Sequence, residues 1–286
     1  MVVHVKLIEE IGSNYMQHSR STDWFTRTND KFMQMFTSEF SNTEGTINFD
    51  SAGEIKVKNI HFGSITTKHL FGLDELIIFA WYEVNKQRYK KTLDLGANIG
   101  VHSLMMRRCG FEVIAYEPDP RHADLFLETM QINSVKNVSL RMKAVGKDEG
   151  KSNFTRVLGN TTGSHLSGAK QNPYGELDIF EVEVDSFVNV VTEKYDFIKM
   201  DVEGYELKLI SSLNAENFKN MEIMLEIGTP ENALGIFKEL NRLKINGFSQ
   251  KKNWGKVVSV DDMPTSHKEG SLFLSATSEM NWDLSR

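Results

Sequence analysis

The period of apolar and polar positions changes near residue 90. Beyond it, short apolar runs alternate with stretches at the helical repeat. Residues 91–96 (KTLDLG), 111–117 (FEVIAYE), 195–201 (YDFIKMD) and 221–228 (MEIMLEIG) read as buried strands. Residues 98–109 (NIGVHSLMMRRC), 120–133 (PRHADLFLETMQIN), 204–213 (GYELKLISSL) and 231–247 (ENALGIFKELNRLKING) read as the helices between them. Residues 137–145 (NVSLRMKAV) and 178–187 (DIFEVEVDSF) add two strands, the second after an irregular stretch. The alternation predicts a doubly wound α/β domain, a mostly parallel sheet with helices on both faces. The tail, FSQKKNW, KVVSV and SLFLSAT, reads as short strands with no helices between, which predicts an antiparallel strand at one edge.

The first 90 residues follow another pattern. Residues 1–45 look helical. TINFDSAGEIKVKNIHFG alternates around a Ser-Ala-Gly break at 51–53 and predicts a hairpin. HLFGLDELIIFAWYEVNKQRY is too apolar for a surface helix and predicts a helix packed on the main domain. Asp74, Glu75 and Glu83 interrupt it and argue against membrane insertion. The expected organisation is a helical and hairpin extension over 1–90 and a main α/β domain over 91–286.

Composition narrows this little. With 286 residues, 40% hydrophobic and 25% charged, the chain can bury a real core. Its single cysteine, Cys109, excludes an internal disulfide. The first residues are too charged for a secretory signal's apolar core, and no apolar run approaches the roughly 20 residues of a membrane span. A cytoplasmic protein without a membrane partner is expected. The net charge of −6 argues against a nucleic-acid partner.

TLDLGANIG (92–100) carries the chemistry. Gly96, Asn98 and Gly100 make a strand-to-helix turn that a ligand can approach closely. Glu117, at the end of the next strand, stands where an acid holds ribose hydroxyls. Two details separate the nucleotide-like ligands. The dinucleotide pattern G-x-G-x-x-G has Asn98 and Val101 at its second and third glycines. Asp94 stands just before the first glycine, where a carboxylate would repel a pyrophosphate. S-adenosylmethionine carries an ammonium, a sulfonium and a ribose but no phosphate, so the acid favours it over NAD. Asp94 capping the helix, and Glu117 as an ordinary strand-end acid, are the plainer alternatives.

KMDVEGYEL (199–207) repeats the design. If the strands ending in Asp94 and Asp201 are central neighbours, both acids lie at the crevice where strand order reverses, with Glu226 one strand further out. Donor and acceptor binding, a Mg²⁺ site, or support of a helix N-terminus by Glu203 are the readings open to these acids. Asp201 ranks first as base, since the fold fixes its position. His102, in the first helical turn after the glycines, and His165, in the segment GNTTGSHLSG, are the other candidates. Lys199 shares the side of Asp201 and can pair with an acid. Lys199, Glu203 and Glu226 are the expected acceptor-binding residues, and no metal is assigned. Asn172-Pro173-Tyr174-Gly175 suggests the N-P-P-Y element of amino-methyltransferases but lies upstream of its proper strand. The glycosylation patterns at Asn137 and Asn160 are chance matches.

DLGANIG (94–100), VIAYEPDP (113–120) and FIKMDVEGYE (197–206) together resemble the signature of the FkbM-type methyltransferases, over roughly Lys91 to Phe248. The resemblance implies a class I, Rossmann-like methyltransferase fold with a seven-stranded sheet whose last strand is antiparallel. It implies S-adenosylmethionine as cofactor and O-methylation of a hydroxyl on a sugar, glycan or similar small metabolite. Asp94, Gly96, Asn98 and Gly100 would hold the donor's amino-acid part, Glu117 its ribose, and the backbone at Ala144 and Val145 its adenine. Many related enzymes carry an acid before that alanine, where this chain has Lys143. Val184-Asp185-Ser186-Phe187 replaces the usual L-D-x-L. Residues 1–90 match no pattern and would house acceptor specificity or a homodimer contact. The alternatives are an NAD(P)-dependent oxidoreductase and a non-catalytic binding protein on the same scaffold.

Overall fold

Residues 92–95 lose all contact with solvent, and so do most side chains of the strand beside them. That is the signature of central strands in a sheet covered on both faces. The computed structural model describes residues 7–49, 52–170, 172–173 and 175–282. The expectations for residues 1–6, for Ser51 in the hairpin break and for Tyr174 lie outside the described residues.

The chain opens with α1 (Leu7–Ser13) and α2 (Asp23–Glu39), whose N-cap Thr22 accepts the Phe25 amide. The hairpin β1 (Glu44–Phe49) and β2 (Gly53–Lys58) follows, then α3 (Leu73–Val84). The alternating part runs β3 (Lys91–Leu95), α4 (Val101–Arg108), β4 (Glu112–Tyr116), α5 (Pro120–Ile132), β5 (Val138–Arg141). Next come β6 (Ala144–Gly146), β7 (Gly150–Val157), β8 (His165–Leu166), β9 (Leu177–Ser186) and the short α6 (Phe187–Val190). The chain then returns through β10 (Phe197–Met200), α7 (Glu206–Ile210), β11 (Glu222–Glu226) and α8 (Pro230–Leu243). It closes with β12 (Asn246–Ser249), β13 (Gly255–Lys256) and β14 (Ser271–Ser275).

The large sheet has the order β13-β12-β14-β11-β10-β3-β4-β5. β5, β4, β3, β10 and β11 are mutually parallel, and strand order reverses between β3 and β10. This is the doubly wound, Rossmann-like arrangement. Two details differ from expectation. Among the described residues the sheet has eight strands rather than seven. The antiparallel β14 lies between β11 and β12 rather than at the edge, because it returns from the far side to pair with both. The stretch 137–145, expected as one strand, breaks at Met142–Lys143. Its first half joins the large sheet and its second half joins a small sheet of order β6-β9-β7-β8. The irregular stretch before β9 holds β7, whose mostly polar first half hid it from the pattern.

Alternation along the strands sorts the core. Leu93, Leu95, Ile198, Met200, Ile223 and Leu225 face α7 and α8. The opposite face is covered by α4, α5 and α3, where Trp81 meets Phe273 and Tyr82 meets Phe197 edge to face, with ring centroids 5.0 and 5.7 Å apart. One apolar cluster runs from Ile8 through α3 to Trp282, so the core does not part at residue 90.

Candidate active site

The turn after β3 is shaped by backbone requirements. Gly96 has φ +75°, and its amide and that of Ala97 both donate to the Tyr116 carbonyl, at 3.1 and 3.0 Å. A Cβ at Gly96 would stand 1.8 Å from the Asp201 carbonyl oxygen. The glycine thus lets the ends of β3 and β10 touch. Asn98 sits at φ +51°, which asparagine tolerates, and its Oδ1 accepts the Ile99 amide at 2.8 Å. Gly100, at φ +85°, opens α4 where a Cβ would strike the Phe126 ring at 2.7 Å. Its service is to helix packing; it does not line the cavity.

A cavity of about 910 Å³ opens at this crevice, large enough for a cofactor together with a small acceptor. One end, beside the glycine turn, is walled by Leu95, Gly96, Asn98, Glu117, Ala144 and Val145. Glu117 is 5% exposed and accepts two backbone amides, Asn98 at 2.8 Å on one oxygen and Asp119 at 2.9 Å on the other. Burial raises its carboxyl to about 8; the two amides oppose this, while the Asp119 and Asp94 charges add to it. Lys143 at the cavity wall is committed to Asp185 and Glu183, at 2.9 and 3.1 Å.

Asp94 is placed differently from the sequence picture. Alternation with Leu93 and Leu95 turns it into the layer under α4, with no exposed surface and no share of the cavity wall. Its Oδ2 accepts the Ser103 hydroxyl at 2.6 Å, and its Oδ1 is buried with no partner among the described residues. In the β3–β10 register it stands opposite Lys199. A positively charged ligand in the turn would feel this acid through the protein rather than by contact.

At the other end the strand-end acids converge as the topology requires, since β3, β10 and β11 are successive neighbours. Lys199 is 7% exposed and donates to Asp201 Oδ2 at 3.2 Å. Burial alone would lower its ammonium, but Asp201, Asp94 and Glu75 hold it raised. Glu203, at φ +53°, accepts Lys170 Nζ at 2.6 Å, and burial with the Asp201 charge raises it to about 7. Glu226 is raised well above the usual carboxylate range, first by burial and then by Asp201, Glu75 and Glu203. Glu206 lies 2% exposed behind them. It accepts the Val202 and Gly204 amides, both at 3.1 Å, and so fixes the turn between β10 and α7.

The two candidate histidines separate. His165, on β8, lines the cavity; its Nδ1 lies 3.0 Å from the Gly163 carbonyl, and burial lowers its pKa. Donation from Nδ1 leaves Nε2 unprotonated. His102 is not on the wall. Tyr82 Oη lies 2.8 Å from its Nδ1 and Glu75 Oε2 2.8 Å from its Nε2, so it struts α4 against α3. Sequence reasoning missed the contribution of α3. Glu75 and Asp74 line the cavity, with Arg20 paired to Asp74. The signal for it is the presence of these acids in an otherwise apolar helix, which bears on a site as much as on membrane insertion. Among the described residues no three metal-ligating side chains cluster, and no helix is long and apolar enough to cross a membrane.

The family model described as the methyltransferase FkbM domain matches residues 94–260, more than half of the chain. No curated protein matches. Among solved structures, the chain is similar to a SAM-dependent methyltransferase from Agrobacterium tumefaciens, with 10% identity over 84% of this chain and 72% of that one and a TM-score of 0.45. It is also similar to the METTL16 methyltransferase domain, with 12% identity, 95% and 92% coverage and a TM-score of 0.44. A third is a Pyrococcus abyssi tRNA (uracil-54, C5)-methyltransferase in complex with S-adenosyl-L-homocysteine, at 12%, 82%, 44% and 0.41. The fold assignment rests on strand order and not on these distant likenesses.

Proposed function

The chain belongs to the FkbM methyltransferase family, and from that premise we propose that this S-adenosylmethionine-dependent enzyme methylates a hydroxyl of a sugar, glycan or similar uncharged small metabolite. The oxidoreductase and silent-scaffold alternatives fall with the family. The residues suit the donor. Gly96 and Asn98 line the cavity at the turn, Glu117 offers carboxylate oxygens to a diol, and Asp94 keeps beneath the turn an oxygen with no partner among the described residues. When bound, the donor supplies an electrophilic methyl on a sulfonium.

The observation that carries the acceptor reading is the chemistry of the opposite wall. Arg20, Lys170 and Lys199 are each paired with an acid, to Asp74, Glu203 and Asp201. Among the described residues these lysines and this arginine of the wall are committed to acids rather than free for a phosphate or carboxylate on the acceptor, whereas the raised carboxyls of Glu203 and Glu226 can donate to and accept from hydroxyls. Asp201, fixed by Lys199 at the end of β10, is the proposed base and orients the acceptor hydroxyl. The neutral Nε2 of His165 favours a second reading, with proton removal from β8. Lys199, Glu203 and Glu226 position the acceptor's other hydroxyls.

The test is transfer of a labelled methyl to a panel of neutral sugars, phosphorylated sugars, amines and phenols, with the product's methyl linkage read by NMR. A methyl ether on a neutral polyol supports the proposal; an N-methyl product, or preference for a phosphorylated acceptor, overturns it. Asp201→Asn and His165→Gln separate the bases, since the true one loses about 10²-fold or more in kcat.

A further inference from the structure

Arg156 lies outside the cavity wall, yet it is 5% exposed and holds a two-point ion pair with a buried acid. From β7 its Nε and Nη2 reach both oxygens of Asp119, each at 2.6 Å. Its Nη1 reaches Asp178 on the paired β9, at 2.5 Å. Asp119 is fully buried and serves three neighbours at once. It N-caps α5 by accepting the Arg121 amide at 2.9 Å, it receives the guanidinium, and its own amide donates to Glu117 at 2.9 Å. Glu117 in turn accepts the Asn98 amide of the glycine turn at 2.8 Å.

The small sheet is therefore linked to the cavity carboxylate through Asp119, whose side chain takes the guanidinium and whose backbone amide holds Glu117. A planar guanidinium fork fixes a carboxylate in both position and rotation, which a lysine cannot do. Asp119 needs that fixing. Without the fork it would be an uncompensated buried charge that loosens its own cap on α5, in the same turn whose backbone amide holds Glu117, and whose repulsion falls on Glu117. The alternative, that the pair only welds β7 to α5, would leave the cavity carboxylate indifferent to it.

We infer that Arg156 is a positioning residue for the donor's ribose, acting through Asp119 to hold Glu117 in register with the sugar diol. The inference rests on the proposed role of Glu117 toward that diol. The test is calorimetric titration of the full chain with two probes, S-adenosylhomocysteine and its 2′-deoxy analogue, on wild type, Arg156→Met, Arg156→Lys and Asp178→Asn. Wild type is expected to prefer the diol probe roughly ten-fold or more, one well-made charged hydrogen bond. In R156M and R156K that preference should shrink to within about three-fold, while D178N, which leaves the Asp119 fork intact, should keep it.

The two ideas fail separately. If wild type does not distinguish the probes, the Glu117 reading is wrong, and this inference falls with it. If wild type distinguishes them and R156K does so equally, Glu117 is right and Arg156 is merely a weld. R156K retains the charge and is the decisive variant should R156M fail to fold. If R156K also unfolds, with D178N folded and discriminating, the pair is structural and the inference is overturned.

Discussion

At the scale of single residues, Asp94 lies fully buried beneath α4, with one carboxylate oxygen on Ser103 and the other without a partner among the described residues. A fully buried carboxylate oxygen without a partner costs stability and calls for a functional reason. Asp94→Asn should therefore keep or raise the thermal midpoint of the donor-free protein, while weakening S-adenosylhomocysteine binding by roughly ten-fold or more. Scanning calorimetry and titration check the two halves, and a lowered midpoint with unchanged binding would reassign Asp94 to capping. Glu117 gives a pH dependence of definite sign. Its carboxyl, ordinarily near 4.5 and raised to about 8 by burial in the folded chain, keeps its proton where an unfolded chain has lost it. Its contribution to stability is thus present below pH 4.5 and lost as pH rises through 8. A diol is best held by the ionised form, so donor binding should tighten from about pH 6.5 to about pH 8.5 and release a proton. Titration in buffers of different ionisation enthalpy reads that proton directly, and Glu117→Gln should abolish it.

Elements were legible where apolar runs were long and flanked by glycine or proline. β3, β4, β10 and β11 stand where the pattern put them, and with them the convergence of Asp201, Glu203 and Glu226. The small sheet was not legible, since β7 starts with polar exposed residues and β6 is three residues long. Side-chain direction was harder still. Lys199 pairs with Asp201 on the side alternation gives it, but the same alternation buries Asp94, which a one-dimensional motif does not reveal. The contact between β3 and β10 through Gly96 supplies the prediction at this scale. Gly96→Ala places a methyl against the Asp201 carbonyl in a left-handed conformation. The loss should be about 2–4 kcal/mol of stability. Chemical denaturation should show that loss, and titration should show no donor binding even at temperatures where the variant remains folded.

For the molecule as a whole, the change of pattern near residue 90 reads as a boundary between an extension and a catalytic domain, and the packing of α3 makes that boundary a matter for experiment. α3 covers the sheet face over β10, β11 and β14, a place no later helix fills; Leu76, Ile77, Phe79, Trp81 and Tyr82 have no exposed surface at all. Each such side chain contributes roughly 1.5–3 kcal/mol by burial, so the helix alone matches the whole net stability of an ordinary domain, about 5–15 kcal/mol. Removing it would also open the Met224 and Phe273 face of the sheet to water and strip His102 of both its partners. A chain beginning at residue 91 is therefore expected to lack a cooperative thermal transition and to bind a hydrophobic dye. A chain beginning at residue 59, which keeps α3 but loses α1, α2 and the hairpin, should recover a broadened transition. Donor binding should return with α3, because the turn it braces lies in α4, while acceptor turnover should not, since Arg20 is then absent from the opposite wall. Cooperative folding of the residue-91 chain would show that α3 is an appendage and that residues 91–286 carry their own core.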